Sequence, residues 1–359
     1  MAIHSKKGIA LILVLSSLAM LSAMMVEFTF RSRMNIKISS NFKNAIKARE
    51  LAQSGIHFAM LELKVYKTLK EHPMIQKIPG FKESMIDMIW QFGFLYPPLP
   101  SKQASFGLEK EAAELIEKSK IDGKIHVKIS DESAKININD LENTQFREGI
   151  LQQLESLLEQ KKMADEAFFD KYRNLRMEEL AHNIIDWIDK DTDGIDGGGE
   201  DDYYSRLPIP YKTKNAPLDT VSELALIEGF DNEDIFNLLL PHVTVYPTGG
   251  LNVNRADAAQ LLSISPELTP EDAESIIQRR TAEGYFKNGA EFEEYCRKTL
   301  LKSAEFNQRP KVPLTTSTNI FSLVSTAEVK GAAQKIRAVI DISQTMPDES
   351  LKILYWNVN

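Results

Sequence analysis

From Ile9 to His72 the chain contains no proline and one glycine, Gly55. Its first part, Ile9 to Val26, is 18 residues without a charge. As a helix that run spans about 27 Å, enough for a hydrocarbon core. In the second part Ile46, Leu51, Ile56, Met60, Leu63 and Tyr66 recur at helical spacing among good helix formers. One helix of about 60 residues, on the order of 90 Å long, is expected. It ends at His72-Pro73, because proline cannot continue it. Lys6 and Lys7 stand just before the run and favour a cytoplasmic first octet, with the remainder crossing to the far side. Hydropathy alone favours a secretory signal or a simple anchor. A cleavable secretory signal is cut after its apolar run, whereas here the helical pattern continues through Ser22-Ala23-Met24.

Beyond the stem the pattern changes twice. Residues 74–120 hold apolar turns from Met85 to Phe94, a Pro97-Pro98-x-Pro100 break and an expected helix at 108–118. Ile121 to Ile129 alternates as a half-buried strand does. Helical patterns fill 145–160, 164–188, 220–229, 232–240, 255–263, 270–282 and 289–301. Thr220 with Glu223, and Thr269 with Asp272 behind Pro270, mark helix starts as capping boxes. From 319 onward β-branched runs return as IFSLVSTAEV, KIRAVIDIS and LKILYWNV. The reading is an α+β frame of stem helix and strands interrupted by a helical block. Its parts are 1–8, 9–72, 73–139, an all-α insert at 140–310, and 311–359. A weak repeat sets Ile136-Asn137-Ile138-Asn139 against Leu251-Asn252-Val253-Asn254; each asparagine pair is suited to satisfying backbone groups at a helix entrance.

Between Asp186 and Asp202 there are eight acids and one base, Lys190. Charge runs are usually solvated, so spacing must decide. Asp189, Asp191, Asp193, Gly194 and Glu200 fit D-x-[DN]-x-[DN]-G-x5-E at every required position. Alternating carboxylates converge on a calcium ion when the chain wraps it, the glycine permits the turn, and the glutamate closes the shell. Without a cation these acids would repel one another. A calmodulin-like pair is not indicated, since Pro208 and Pro210 follow in place of an exiting helix and no second loop matches. A single structural ion holding the loop is expected.

Lys6-Lys7-Gly8 directly before an uninterrupted apolar helix resembles a type IV prepilin signal. Further residues resemble the K-type minor pseudopilins of type II secretion systems. They include Asp186-Trp187-Ile188-Asp189, Gly199-Glu200-Asp201-Asp202-Tyr203-Tyr204, Tyr211, Asn215-Ala216-Pro217, Ser222-Glu223-Leu224, the Asn-x-Asn pairs and Ser325-Thr326-Ala327-Glu328-Val329. Leu13 stands at the fifth position after Gly8, where most prepilin-like chains carry glutamate; the K-type chains share that departure. The resemblance implies a pilin-like long helix and antiparallel sheet interrupted by a large all-α, SAM or helix-hairpin-helix-like insert. It implies cleavage by the prepilin peptidase after Gly8 and methylation of Ile9. It further implies a single-pass inner-membrane protein with its bulk in the periplasm, at the tip of a pseudopilus with the I- and J-type minor pseudopilins. It also implies calcium in the acidic region, which adds Asp201 and Asp202 to the candidate ligands.

Other classes are weaker. A net charge of 43 minus 51, or −8, argues against nucleic acid as main partner. Residues 251–301 have a helix-hairpin-helix look, but the hairpin Ser263 to Pro270 has two prolines, no glycine and acids nearby, with only Arg279 and Arg280 as a basic patch. A packing role is expected there. Six scattered histidines and no nucleophile or P-loop motif argue against an enzyme. Cys296, the one cysteine, excludes an intramolecular disulfide and reads as a packed thiol. A membrane-anchored periplasmic calcium-binding protein unrelated to secretion is the alternative reading.

Overall fold

A computed structural model describes residues 5–78, 81–91, 93–97, 121–308, 310–345 and 350–358. The helix expected at 108–118 lies outside the described residues. Helix α1, Ser5–Glu71, is continuous over 67 residues, about 100 Å. Its two halves have different surroundings. The apolar side chains from Leu11 to Val26 bury nothing within the protein, and the helix is long and apolar enough to cross a membrane. Farther along, Ala48, Ala52, Ile56, Ala59, Leu63 and Tyr66 are fully buried, a stripe at three- and four-residue spacing that faces a core.

That stripe lies on a five-stranded antiparallel sheet of β1 (Phe94–Tyr96), β2 (Lys124–Asp131), β7 (Ile320–Val329), β8 (Ala332–Thr345) and β9 (Leu351–Val358), in that order. At Gly55 the sheet comes so close that a Cβ would sit 2.4 Å from Ser325 Oγ and 2.8 Å from Val127 Cγ2. The β7–β8 hairpin turns on Lys330 and Gly331, both with positive φ, the geometry that matches strand twist. Helix α2, Ser84–Gln91, closes one end of this core. Its Trp90 meets Tyr66 and Phe321 edge-on at 6.4 and 5.2 Å. The apolar turns expected from Met85 onward are thus α2 followed by β1, and the strand expected from Ile121 starts at Lys124.

The helical block enters after β2 and leaves before β7. It has two hydrophobic cores. The first runs from Ile136 to Val245 and the second from Leu251 to Val312. Each is closed by a short parallel pair. In the first, β3 (Ile136–Asn137) pairs with β4 (Val243–Thr244); in the second, β5 (Leu251–Asn252) pairs with β6 (Leu314–Thr315). The Asn-x-Asn repeat sits at these closures. Asn137 and Asn252 each accept from the backbone N–H two residues on. Asn139 exchanges both amide hydrogen bonds with remote chain, donating to Val245 O at 2.8 Å and accepting from Leu218 N at 2.8 Å. Asn254 donates to Phe286 O and accepts from Phe286 N, each at 2.9 Å.

The helices of the block are α3 (Arg147–Ala164), α4 (Glu166–Tyr172), α5 (Met177–Ile188), α6 (Asp201–Tyr204), α7 (Glu233–Leu239), α8 (Ala258–Leu262), α9 (Pro270–Ala282) and α10 (Gly289–Lys298). The single helix expected at 164–188 is two. Asp165 caps α4 by accepting from Phe168 N at 3.0 Å, and the chain breaks again before Met177. The pattern at 220–229 is one 3-10 turn, Val221–Leu226, held by the Thr220–Glu223 capping box.

One buried node ties the second core to the frame. Arg255 Nη2 lies 2.6 Å from Asp87 of α2, and its Nε lies 3.5 Å from Asp131 at the end of β2. The guanidinium also stacks over Trp90 and Tyr285. Tyr285 donates to Asp87 at 2.5 Å.

Candidate metal centre

The end of α5 begins the site. Asp186 lies in its last turn and Asp189 follows as its cap, so two carboxylates stand at the negative end of a helix dipole, where anions are disfavoured. The loop 190–200 then folds back on itself. Gly194 N donates to Gly198 O at 3.0 Å, Gly197 N donates to Gly194 O at 2.9 Å, and Asp193 bridges to Gly199. Gly197 and Gly198 hold φ of 89° and 98°, a conformation that favours glycine. This return delivers Glu200 to the helix end.

Ligand atoms of Asp186, Asp189 and Glu200 lie within 4.8 Å of one another. Glu200 is 7% exposed, and among the described residues neither of its carboxylate oxygens has a hydrogen-bond partner; Asp189 Oδ1 is likewise buried and unpartnered among them. Burial first, then the charges of Asp189 and Asp186, push the Glu200 carboxyl up to about 7. Burial also raises Asp186 and Asp189, the latter further through Asp191. Asp186 accepts from Ile195 N at 3.1 Å, so the orphaned oxygens of this crowded, partly desolvated trio are those of Glu200 and Asp189, and a cation would offset their charge. Hard oxygen donors of this kind fit a divalent cation such as calcium. Asn215 contributes to the same loop, donating to Asp191 O, and its own Oδ1 is buried without a partner among the described residues.

The motif residues therefore divide. Asp189 and Glu200 converge, and Asp186 joins them from outside the motif. Asp191 accepts from Asp193 N at 3.0 Å in a local turn, and Asp193 faces solvent. Asp201 accepts from Thr213 N and Oγ1, each at 3.0 Å, which holds its carboxyl below the usual range. Asp202 accepts from Gly199 N at 3.2 Å. An EF-hand wrap with alternating acids pointing inward is not what this loop forms. Asp186 was discoverable from sequence as the i−3 neighbour of Asp189; Asn215 stood out only through the family resemblance, with nothing in the spacing to tie it to this loop.

The rival sites are taken up by packing. Gln152 donates to Ile264 O at 2.9 Å and Gln153 to Ser263 Oγ, so α3 covers the hairpin that would face phosphate. His182 Nδ1 lies 3.1 Å from both carboxylate oxygens of Asp196. Cys296 is fully buried and its thiol is pushed up to about 12 by burial.

Two models of the family "Type II secretion system (T2SS), protein K" match residues 134–248 and 251–317, together just over half the chain. Their boundaries fall at the two hydrophobic cores. Among curated relatives named type II secretion system protein K, that of Pectobacterium carotovorum is 34% identical over 116 residues, 31% of this chain and 35% of the relative. The Pseudomonas aeruginosa protein is 30% identical over 45% of this chain and 46% of its own length. The Aeromonas hydrophila protein is 27% identical over 62% and 64%. The chain thus spans about a third of the length of the first relative and about two thirds of the last. A solved structure, the GspK-GspI-GspJ complex from enterotoxigenic Escherichia coli, shares the fold with TM-score 0.56 and 21% identity, over 92% of this chain and 99% of that one. With two family models in register with its two helical cores, the chain belongs to the protein K family of type II secretion systems.

Proposed function

We infer that this chain is a minor pseudopilin that caps the tip of a short periplasmic filament and helps begin its assembly during protein secretion. The observation that carries the reading is a stem-and-sheet frame bearing two whole helical units between adjacent strands. Filament subunits stack head on head, and a domain-sized insert would obstruct a neighbour above. Leu13 at the fifth position after Gly8 adds to this, since no carboxylate is there to pair with an adjacent amine in the apolar layer. The I- and J-type minor pseudopilins are the partners, by analogy with the solved relative. The apolar half of α1 anchors the chain once in the inner membrane. Prepilin peptidase cuts between Gly8 and Ile9, and Ile9 is methylated.

Calcium is the ion of the carboxylate cluster, held by Asp186, Asp189 and Glu200. When bound it supplies the positive charge that this helix end lacks, and so fixes the loop against the first core. The role is structural. Co-expression of the full chain with I- and J-type pseudopilins, followed by detergent extraction, tests the assembly; a 1:1:1 complex is expected. Recovery of this chain at regular intervals along a filament would rule out the tip position. An unchanged melting temperature on adding EDTA would rule out the ion.

A further inference from the structure

Helix α1 covers one face of the sheet. Ile125, Val127 and Ile129 of β2 and Phe321, Leu323 and Ala327 of β7 are buried on that side. On the other face the register sets Lys124, His126 and Lys128 of β2 opposite Glu328, Thr326 and Val324 of β7. Thr326 and Val324 in turn stand opposite Lys335 and Arg337 of β8. Lys124, His126, Lys128 and Arg337 are exposed, and Lys335 is half-buried. Ser322, Val324 and Thr326 therefore form a neutral lane with a row of cations along each side. Lys124, Lys128, Lys335 and Arg337 against Glu328 leave 4 minus 1, or +3, on this face of a chain whose net charge is −8. Among the described residues none of these four cations forms an ion pair; Lys330 at the hairpin turn does, with Asp122 at 2.9 Å.

The cations do not converge on one point. The two rows are two strand spacings apart, about 9.6 Å, and Lys124 lies about 13 Å from Lys128 along β2. A single phosphate or carboxylate cannot bridge such distances. An extended chain laid along the lane can, because its successive side chains point to opposite sides and every fourth residue advances about 13 Å. A lipid headgroup layer is out of reach. A Cβ on Gly123 would sit 2.7 Å from Leu51 Cδ1, so the near end of the sheet is level with Leu51. The helix between Val26 and Leu51 places it about 37 Å beyond the apolar run, several Debye lengths at physiological salt. That distance rests on the reading of the apolar half of α1 as the membrane anchor. We propose that the open face of the sheet is a docking lane for an extended acidic segment of a partner protein, whose carboxylates pair alternately with the β2 and β8 cations across Val324 and Thr326. Exposed pairs are individually weak, so the lane acts through several at once and is sensitive to salt.

The test uses the full chain in nanodiscs of neutral phosphatidylcholine, with a fluorescent peptide of alternating glutamate and serine as the probe. The peptide should bind, and more weakly as salt is raised. Lys128→Glu combined with Arg337→Glu should weaken binding about tenfold and leave the fold intact by circular dichroism, both sites being exposed. Lys161→Glu combined with Lys298→Glu, on the helical block, should leave binding as it is. The proposal is overturned if the peptide fails to bind the native chain, or if the two double variants bind it equally well. A fluorophore on Thr326→Cys reports the lane itself, since the native Cys296 is buried. Its emission should shift on adding the peptide and not on adding phosphatidylglycerol to the nanodisc. A shift with the lipid alone overturns the proposal in favour of a membrane surface. A benzophenone at position 326 that crosslinks to residues 98–120 of the same chain also overturns it, because the lane is then covered from within.

Discussion

Glu200→Gln should change the stability of the chain in opposite directions with and without calcium. In the folded chain the Glu200 carboxyl is raised from 4.5 to about 7. A raised acid favours the folded state below its unfolded value, near pH 4.5, and that advantage is lost as pH climbs through about 7. A shift from 4.5 to about 7 corresponds to an upper limit of about 3 kcal/mol at pH 8. Solvent reaching the loop leaves an expectation of about 2 kcal/mol. Glutamine resembles the protonated acid, so in EDTA at pH 8 the variant should melt about 4–8 °C higher than the native chain. At pH 4.5 the two should coincide. With calcium at a hundredfold excess over its dissociation constant the native chain gains about 2.7 kcal/mol by mass action. The variant, short of one ligand charge, should gain much less and melt below the native chain. Differential scanning calorimetry at both pH values, with EDTA and with calcium, measures all four quantities. If Glu200→Gln is destabilising in EDTA at pH 8, the carboxylate is satisfied without a cation and the reasoning fails.

Arg255→Met should destabilise the protein by about 3–5 kcal/mol, because Asp87 and Asp131 would remain buried without their cation; chemical denaturation should show it, with the second helical unit losing protection from proteolysis first. Gly55→Ala should cost about 1–3 kcal/mol by pushing α1 off the sheet at Ser325 and Val127, read as a lowered melting temperature with no change in calcium response. Processing after Gly8 should give a mature chain starting at Ile9 with net charge 41 minus 51, or −10. Gly8→Leu should keep the leader attached, and mass spectrometry of extracted protein showing a start near Met24 would refute this.

Local patterns carried the frame. The strands Ile320–Val329 and Leu351–Val358 have the bounds that their β-branched runs suggest, and α9 begins at Pro270 behind its Thr269 cap as expected. These elements announce themselves within a few residues of chain. The division of the block into two cores did not, because it depends on which faces meet. Its one trace was the Asn-x-Asn repeat, which marks the two closures. The break within 164–188 was hidden because Arg173-Asn174-Leu175-Arg176 contains neither glycine nor proline. At the carboxylate cluster the motif spacing singled out Asp189 and Glu200, which the fold brings together with Asp186. It could not show that the glycines fold the loop back on itself, which turns Asp191 and Asp193 outward and leaves room for Asp186.

Asp131 at the end of β2 stands opposite Phe321 at the start of β7, and Glu132 N donates to Ile320 O at 2.9 Å. The whole helical block therefore hangs from a neck about one strand spacing wide, roughly 4.8 Å. A tension applied between the stem and the far strands runs along the β2–β7 ladder and bypasses the block, which is wired in parallel with the load and not in series. The units above the neck therefore lie outside the path of that tension. Arg255 is the cross-brace that decides whether they tilt as a body on that neck or ride rigidly with the sheet.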